Sequence, residues 1–223
     1  MENPWLRLPT EPPYVLPEDE AAVREFNAKA DEDCRLLIDD FLPEPFVGNP
    51  AAPVILLLNN PGCGSKARFR QEAPFIKRMR DNLVHRASDC SFAYFADDVN
   101  PDLKLWWNKK LKGLLACGLH HGVLAEAICA VDYFPYPSKR FRGWKGRLLS
   151  GAQDYSFDLV RKAIQREAVI VLVRGKRRWL KAAPELDGYK RLCKVSNPQV
   201  GSISQKNCKK FKRVVRAIKA NAG

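Results

Sequence analysis

Val54-Ile55-Leu56-Leu57-Leu58-Asn59-Asn60-Pro61-Gly62 is the stretch whose reading decides the fold. Five apolar residues run without a polar interruption, and four turn formers close them. A run with no polar face leaves nothing for water, so it fits a strand buried on both sides, as in a parallel sheet. Residues 127–131 and 168–173 read the same way, and residues 192–195 form a weaker fourth run. Helical periodicity lies between and around these runs, over residues 74–84, 103–115, 157–167 and 204–220. Within 103–115, Trp106, Trp107 and Leu111 fall on the apolar side, and Ser204 is placed to cap the last helix. Strands alternating with helices predict an α/β fold, a three-layer α/β/α sandwich around a central, mainly four-stranded parallel sheet.

Upstream, residues 1–17 hold five prolines and read as an irregular arm. A helix start at 17–20 leads into a broken helical pattern reaching about Leu42. Residues 1–45 are therefore expected to pack as arm and helix on a main domain of residues 46–223.

In open α/β sheets the chemistry collects where strands end. Here those loops are 59–66, 132–135, 174–176 and 196–199, and each holds polar residues with Gly or Pro. Gly62-Cys63-Gly64-Ser65-Lys66 does not make a phosphate loop. That motif needs Lys directly after its last Gly, and here Ser65 intervenes. The seven cysteines are scattered, with no C-x-x-C pair. They argue against a disulfide framework and for a reducing compartment, so a cytoplasmic location is expected. Cys129 and Cys193 read as buried small hydrophobes. His85, His120 and His121 have no ligand spacing, so no metal and no cofactor is expected. No apolar run is long enough to span a membrane. The net charge of +13 favours an anionic partner, nucleic acid first.

Asn60-Pro61-Gly62 after the first strand resembles the first motif of the uracil-DNA glycosylase superfamily, in particular of its mismatch-specific and single-strand-selective groups. Asp132-Tyr133-Phe134-Pro135 sits where the latter group has Asn-x-x-Pro. Asn197-Pro198 sits where the superfamily has His-Pro or Asn-Pro. The three motifs come in order, and the resemblance spans residues 53 to about 207. It implies a monofunctional DNA glycosylase, a monomer that flips a base out of DNA and hydrolyses its N-glycosidic bond.

On that resemblance Asn60 positions the water and Asn197 stabilises the departing base. Asp132 reads the base edge, and Tyr133 and Phe134, with Tyr136 beside them, supply stacking rings. Asp132 departs from the family's Asn. Ionised, it only accepts hydrogen bonds and suits an exocyclic amine; protonated by burial, it donates to uracil O4. A cytosine-derived or hypermodified pyrimidine is therefore the favoured substrate, in repair or in defence against foreign DNA. The resemblance places Gly62, Ser65, Lys66, Ser138, Lys139, Arg140, Ser202 and Lys206 at the DNA, with Val200 or Ile203 as the wedge that fills the vacated stack. Basic stretches at 138–145, 174–179 and 204–219 add phosphate contacts. Each residue also has a plainer use: Asn60 and Asn197 start turns before proline, Asp132 caps a loop, and the rings pack the core. Two other functions fit parts of the pattern, a non-catalytic nucleic-acid-binding module and an α/β enzyme on a small phosphorylated metabolite.

Overall fold

The decisive run forms β2 (Val54–Leu58), buried along its whole length at the centre of the sheet. The computed structural model describes residues 1–141 and 149–221. Among these residues the sheet has five strands in the order β1-β3-β2-β4-β5. β3 (Ile128–Asp132), β4 (Val169–Leu172) and β5 (Leu192–Lys194) run parallel with β2. β1 (Phe46–Val47) adds a short antiparallel edge that the sequence pattern did not suggest; two residues are too few for a period.

Seven α-helices are present among the described residues: α1 (Glu20–Lys29), α2 (Ala73–Leu83), α3 (Lys104–Leu115), α4 (His121–Ala127), α5 (Ser150–Gln165), α6 (Lys176–Ala182) and α7 (Phe211–Lys219). They cover both faces. Val54, Leu56 and Leu58 point into one core with Met79 of α2, Leu111 of α3, Leu124 of α4 and Val214 of α7. Ile55 and Leu57 point into the other, with Val23 of α1, Val160 of α5 and Trp179 of α6. This is the three-layer α/β/α sandwich. The chain leaves β2 towards the first face, and leaves β3 towards α5 on the second. That divergence puts the fold's natural binding crevice at the carboxyl end of β2.

Several helix boundaries differ from the sequence pattern. The first helix ends at Lys29 and does not run to Leu42. The Asn27 side chain bonds both the N–H (2.8 Å) and the C=O (2.9 Å) of Leu36, which folds the chain back. Ser204 does not cap α7, which starts at Phe211. Residues 204–208 instead form a turn in which the Ser204 carbonyl accepts from Asn207 and Cys208. Trp106 is not on the apolar side of α3: it is 45% exposed, while Trp107, Leu111 and Leu114 face the core. α4 and α6 are too short for a sequence period to show. His85, His120 and His121 sit at helix ends. No helix among the described residues is long and apolar enough to cross a membrane.

The N-terminal arm is tied into the second core. Trp5 is buried edge-on against Tyr136, and the Tyr136 hydroxyl both accepts from Leu16 N (3.1 Å) and donates to Asp19 Oδ2 (2.9 Å). Tyr136 is thus a structural residue, fully buried and not a stacking ring at a site. Burial pushes the Asp19 carboxyl up to about 6, against the lowering effect of the Tyr136 bond. The folded state therefore holds this proton more tightly than the unfolded chain, whose value is near 3.8. Its favourable contribution is present below that value and is lost as the pH rises through about 6. Asp19→Asn removes the titration and keeps an acceptor for Tyr136. The stability of Asp19→Asn relative to wild type should grow by roughly 2–3 kcal/mol between pH 4 and pH 7 and then level off, as read from urea unfolding at each pH.

Candidate functional site

Three loops at the carboxyl edge carry the candidate residues; Asn60 lines a cavity that neither Asp132 nor Asn197 lines. The first follows β2, where Asn59 and Asn60 divide their directions. The Asn59 side-chain oxygen is buried at Gly175, the residue before α6. Gly175 has φ +72°, and a Cβ there would lie 2.4 Å from that oxygen, so only glycine fits. Trp179 of α6 donates to the Leu58 carbonyl (2.8 Å), which fixes α6 against the end of β2.

Asn60 faces the other way. Its Nδ2 donates to Ser138 Oγ (2.9 Å) and to Pro61 O (3.1 Å). Its Oδ1 makes no hydrogen bond among the described residues. Ser138 in turn donates to Arg140 O (3.2 Å) and exchanges backbone bonds with Pro61 and Cys63. The loops after β2 and β3 are thus zipped together, and the amide of Asn60 has one fixed orientation. Asn60, Phe134, Ser138 and Phe141, together with Phe26, Cys34 and Leu36 from the N-terminal segment, line a cavity of about 10 Å³. That is the room of about one water molecule.

Asp132, the last residue of β3, lies on the first face of the sheet. Its backbone N–H bonds Pro45 O (2.9 Å), and the carboxyl is 5% exposed with Oδ1 lacking any hydrogen bond. Close by, Glu44 and Arg70 form a fully buried ion pair. The Tyr94 hydroxyl bonds both Glu44 oxygens (2.8 and 3.0 Å), and Arg70 also donates to Gly62 O (3.2 Å) and Cys63 Sγ (3.4 Å). The guanidinium pairs with Glu44 and acts on Asp132 only through its charge. Burial first, then the charge of Glu44, hold the Asp132 carboxyl well above the usual carboxylate range; Arg70 and Arg174 oppose this more weakly. Burial thus favours the protonated carboxyl, and in that form Asp132 has one O–H to donate and one C=O to accept.

The third loop, 196–203, is held by bonds from three directions. Asn197 Oδ1 accepts from Gln199 N (2.9 Å) and Val200 N (3.3 Å), closing a tight turn. Arg174 donates to Gln199 O (3.3 Å) and Lys110 of α3 to Val200 O (2.6 Å). The Asn207 side chain bonds Asn197 N (2.7 Å), Asn197 O (3.3 Å) and Ser202 O (2.9 Å). Asn197 itself is exposed, with its Nδ2 unengaged among the described residues. Val200 stands out at 50% exposure.

Several expected contacts change place. Ile203 is 1% exposed and Ser202 is buried too, so neither presents a surface to DNA, and Val200 alone of the two wedge candidates is exposed. Ser138 is buried and holds Asn60, so it is not a phosphate contact. Tyr133 packs in the second core, edge-on to Trp179 at 5.3 Å, and is not a stacking ring at the pocket; Phe134 does line it. Gly62, Ser65, Lys66, Lys139, Arg140 and Lys206 are exposed, with Lys66 paired to Asp102 (2.5 Å). Arg142, Gly143, Trp144 and Lys145 lie outside the described residues. Among the described residues no three His, Cys, Asp or Glu side chains converge on a metal position. Glu44, Arg70, Tyr94 and Lys110 were not visible as site residues in the sequence. No local motif marks them, and only the tertiary fold brings them to the loops.

Removing one partner of a buried pair strands the other charge. Arg70→Met should destabilise the protein by about 3–5 kcal/mol in urea unfolding, and adding Glu44→Leu should restore much of the loss. No family model, curated protein or solved structure matches this chain.

Proposed function

We propose that the chain is a monofunctional DNA glycosylase that hydrolyses the N-glycosidic bond of a flipped pyrimidine and leaves an abasic site. The observation that carries this reading is the division of labour at the carboxyl edge. A fixed neutral amide (Asn60), whose oxygen makes no hydrogen bond among the described residues, lines a cavity of one water, and a buried carboxyl held above the usual carboxylate range (Asp132) ends the neighbouring strand. Charge supports a DNA partner. Residues 1–45 hold 12 acidic and 4 basic residues, a net −8; residues 46–223 hold 13 acidic and 34 basic, a net +21.

In this mechanism Asn60 Oδ1 accepts a hydrogen bond from the water and directs its oxygen at the sugar C1′. A neutral amide is no base at pH 7, so the rate comes from positioning and from stabilising the leaving group. The C1′–N bond breaks, the base departs with its bonding electrons, the water oxygen bonds C1′, and the proton that the water sheds neutralises the base anion. Asn197 Nδ2, free because its oxygen closes the turn, donates to the base O2. Val200 fills the vacated stack. Entry of a base beside Asn60 displaces Phe141 or the Phe26–Leu36 segment, and its contact with Asp132 requires the 59–63 loop to move as well, since the cavity as it stands holds only water and Asp132 does not line it.

A neutral carboxyl pairs with a cytosine-type edge by donating to N3 and accepting from the 4-amino group. We favour a cytosine-derived or hypermodified base, in repair or in defence against modified foreign DNA. Uracil is the second reading, because the same carboxyl, with its proton on the other oxygen, accepts from N3–H and donates to O4.

Oligonucleotides carrying uracil, mispaired thymine, hypoxanthine or an oxidised, hydroxymethylated or glucosylated cytosine test this, with abasic sites revealed by alkali. Asn60→Ala should lower cleavage of the preferred base about a hundredfold or more. Asp132→Asn should shift preference towards uracil. The wild-type rate should fall on the alkaline side as Asp132 loses its proton, and the Asn variant should lack that limb. No abasic site on any substrate despite salt-sensitive binding would point to a binding module, and no DNA binding at all to a metabolite enzyme.

A further inference from the structure

Trp106 and Leu105 are exposed on α3, at 45% and 46%, in a protein whose other described tryptophans are buried. Trp106 is not adrift. Its ring packs edge-on to Trp107 at 4.8 Å, and the Lys110 ammonium sits 5.2 Å from its centre. The same ammonium donates to Val200 O at 2.6 Å, so one cation joins the ring to the exposed tip of the 196–203 loop. The backbones also meet here. Ile203 N donates to Lys110 O (2.7 Å), and a Cβ at Gly113 would lie 2.5 Å from Ile203 O and from the Ser204 Cα, so α3 touches the loop where only glycine permits it. The surface is one continuous unit: a ring, a braced cation and an exposed valine.

Its charge is mainly of one sign. Residues 103–125 hold four lysines and residues 188–223 ten Lys and Arg, neither stretch with an acidic residue, while Asp97 and Asp102 before α3 pair with Lys104 and Lys66. Lys109 and Lys112 of the same helix and Lys206 after the loop are exposed. An apolar face that awaited a protein partner would carry a mixed rim. A mainly cationic surface beside an accessible indole is the composition that binds an unpaired strand, where phosphates meet the cations and a base stacks on the ring.

We propose that α3 and the 196–203 loop form a binding platform for single-stranded DNA, with Trp106 stacking one base and Lys109, Lys112 and Lys206 holding its phosphates. The inference rests on the DNA-partner reading above and extends it: the protein accepts an unpaired strand, delivered to the loop that carries Asn197 and Val200.

Fluorescence anisotropy with a labelled oligothymidine and with an unmodified duplex of equal length tests this without any catalysis. Trp106→Ala should weaken single-strand binding about tenfold, within the range for one base on one ring, and duplex binding less than twofold. Trp106→Phe should keep most of the affinity, and Leu6→Ala, exposed in the acidic N-terminal segment, should change nothing. The salt slope should stay constant in Trp106→Ala and flatten in Lys109→Gln/Lys112→Gln, because the ring meets a base and the lysines meet phosphate. Should Trp106→Ala fail to fold, the phenylalanine variant still decides: it should lose part of the tryptophan quenching that the strand causes. Unchanged single-strand affinity in Trp106→Ala, equal losses on both DNA forms, or unchanged quenching in Trp106→Phe would overturn the proposal. Loss of abasic-site formation is a separate readout, so failure of the platform and failure of the glycosylase reading are distinguishable.

Discussion

Arg70 is a buried guanidinium with two buried carboxyls within its influence, and it can neutralise only one of them. Glu44 takes that role, reinforced by the Tyr94 hydroxyl. Asp132 has no ion pair among the described residues, and burial holds its carboxyl above the usual carboxylate range. The same guanidinium bonds Gly62 O and Cys63 Sγ, so the ion pair that sets the electrostatics beside Asp132 also shapes the loop bearing Asn60. An ion pair of this kind adds little net stability over an apolar replacement. Its effect here is to hold a loop geometry, through Gly62 and Cys63, beside a buried carboxyl.

The fold was legible because its signal is local. β2 is apolar at every position since both its faces and both its edges are covered, and β3 and β4 repeat that pattern. α3 and α5 are long enough to show a period, although Trp106 shows how a ring can satisfy the period and still face water. β1, α4 and α6 are too short, and α1 is ended by Asn27, whose capture of Leu36 has no signature beyond a common residue type.

The site was legible only in part. The strand-end loops announce themselves through Asn, Pro and Gly, and Asn60 and Asp132 stand where the strand pattern puts them. What those residues touch is another matter. Ser138 looked like a phosphate contact because it opens a basic stretch, yet its hydroxyl orients Asn60. Glu44 lies between two prolines and Arg70 in a run of basic residues, and each looks like surface until the fold buries them against one another. Ile203 and Val200 are equally apolar in sequence; the backbone bond from Ile203 to Lys110 turns one inward and leaves the other out.

The loop from Asn197 to Ile203 has a thermodynamic consequence. Free loops lose about 1–2 kcal/mol of backbone entropy per residue when they are ordered against a partner. Here that ordering has already happened during folding, through Asn207 on one side and Arg174 and Lys110 on the other. A partner meeting Val200 meets a surface already held in one shape, so little of the contact energy is offset by freezing the loop. Rigidity of this kind makes the tip selective by shape: what does not match it cannot be accommodated by the loop giving way.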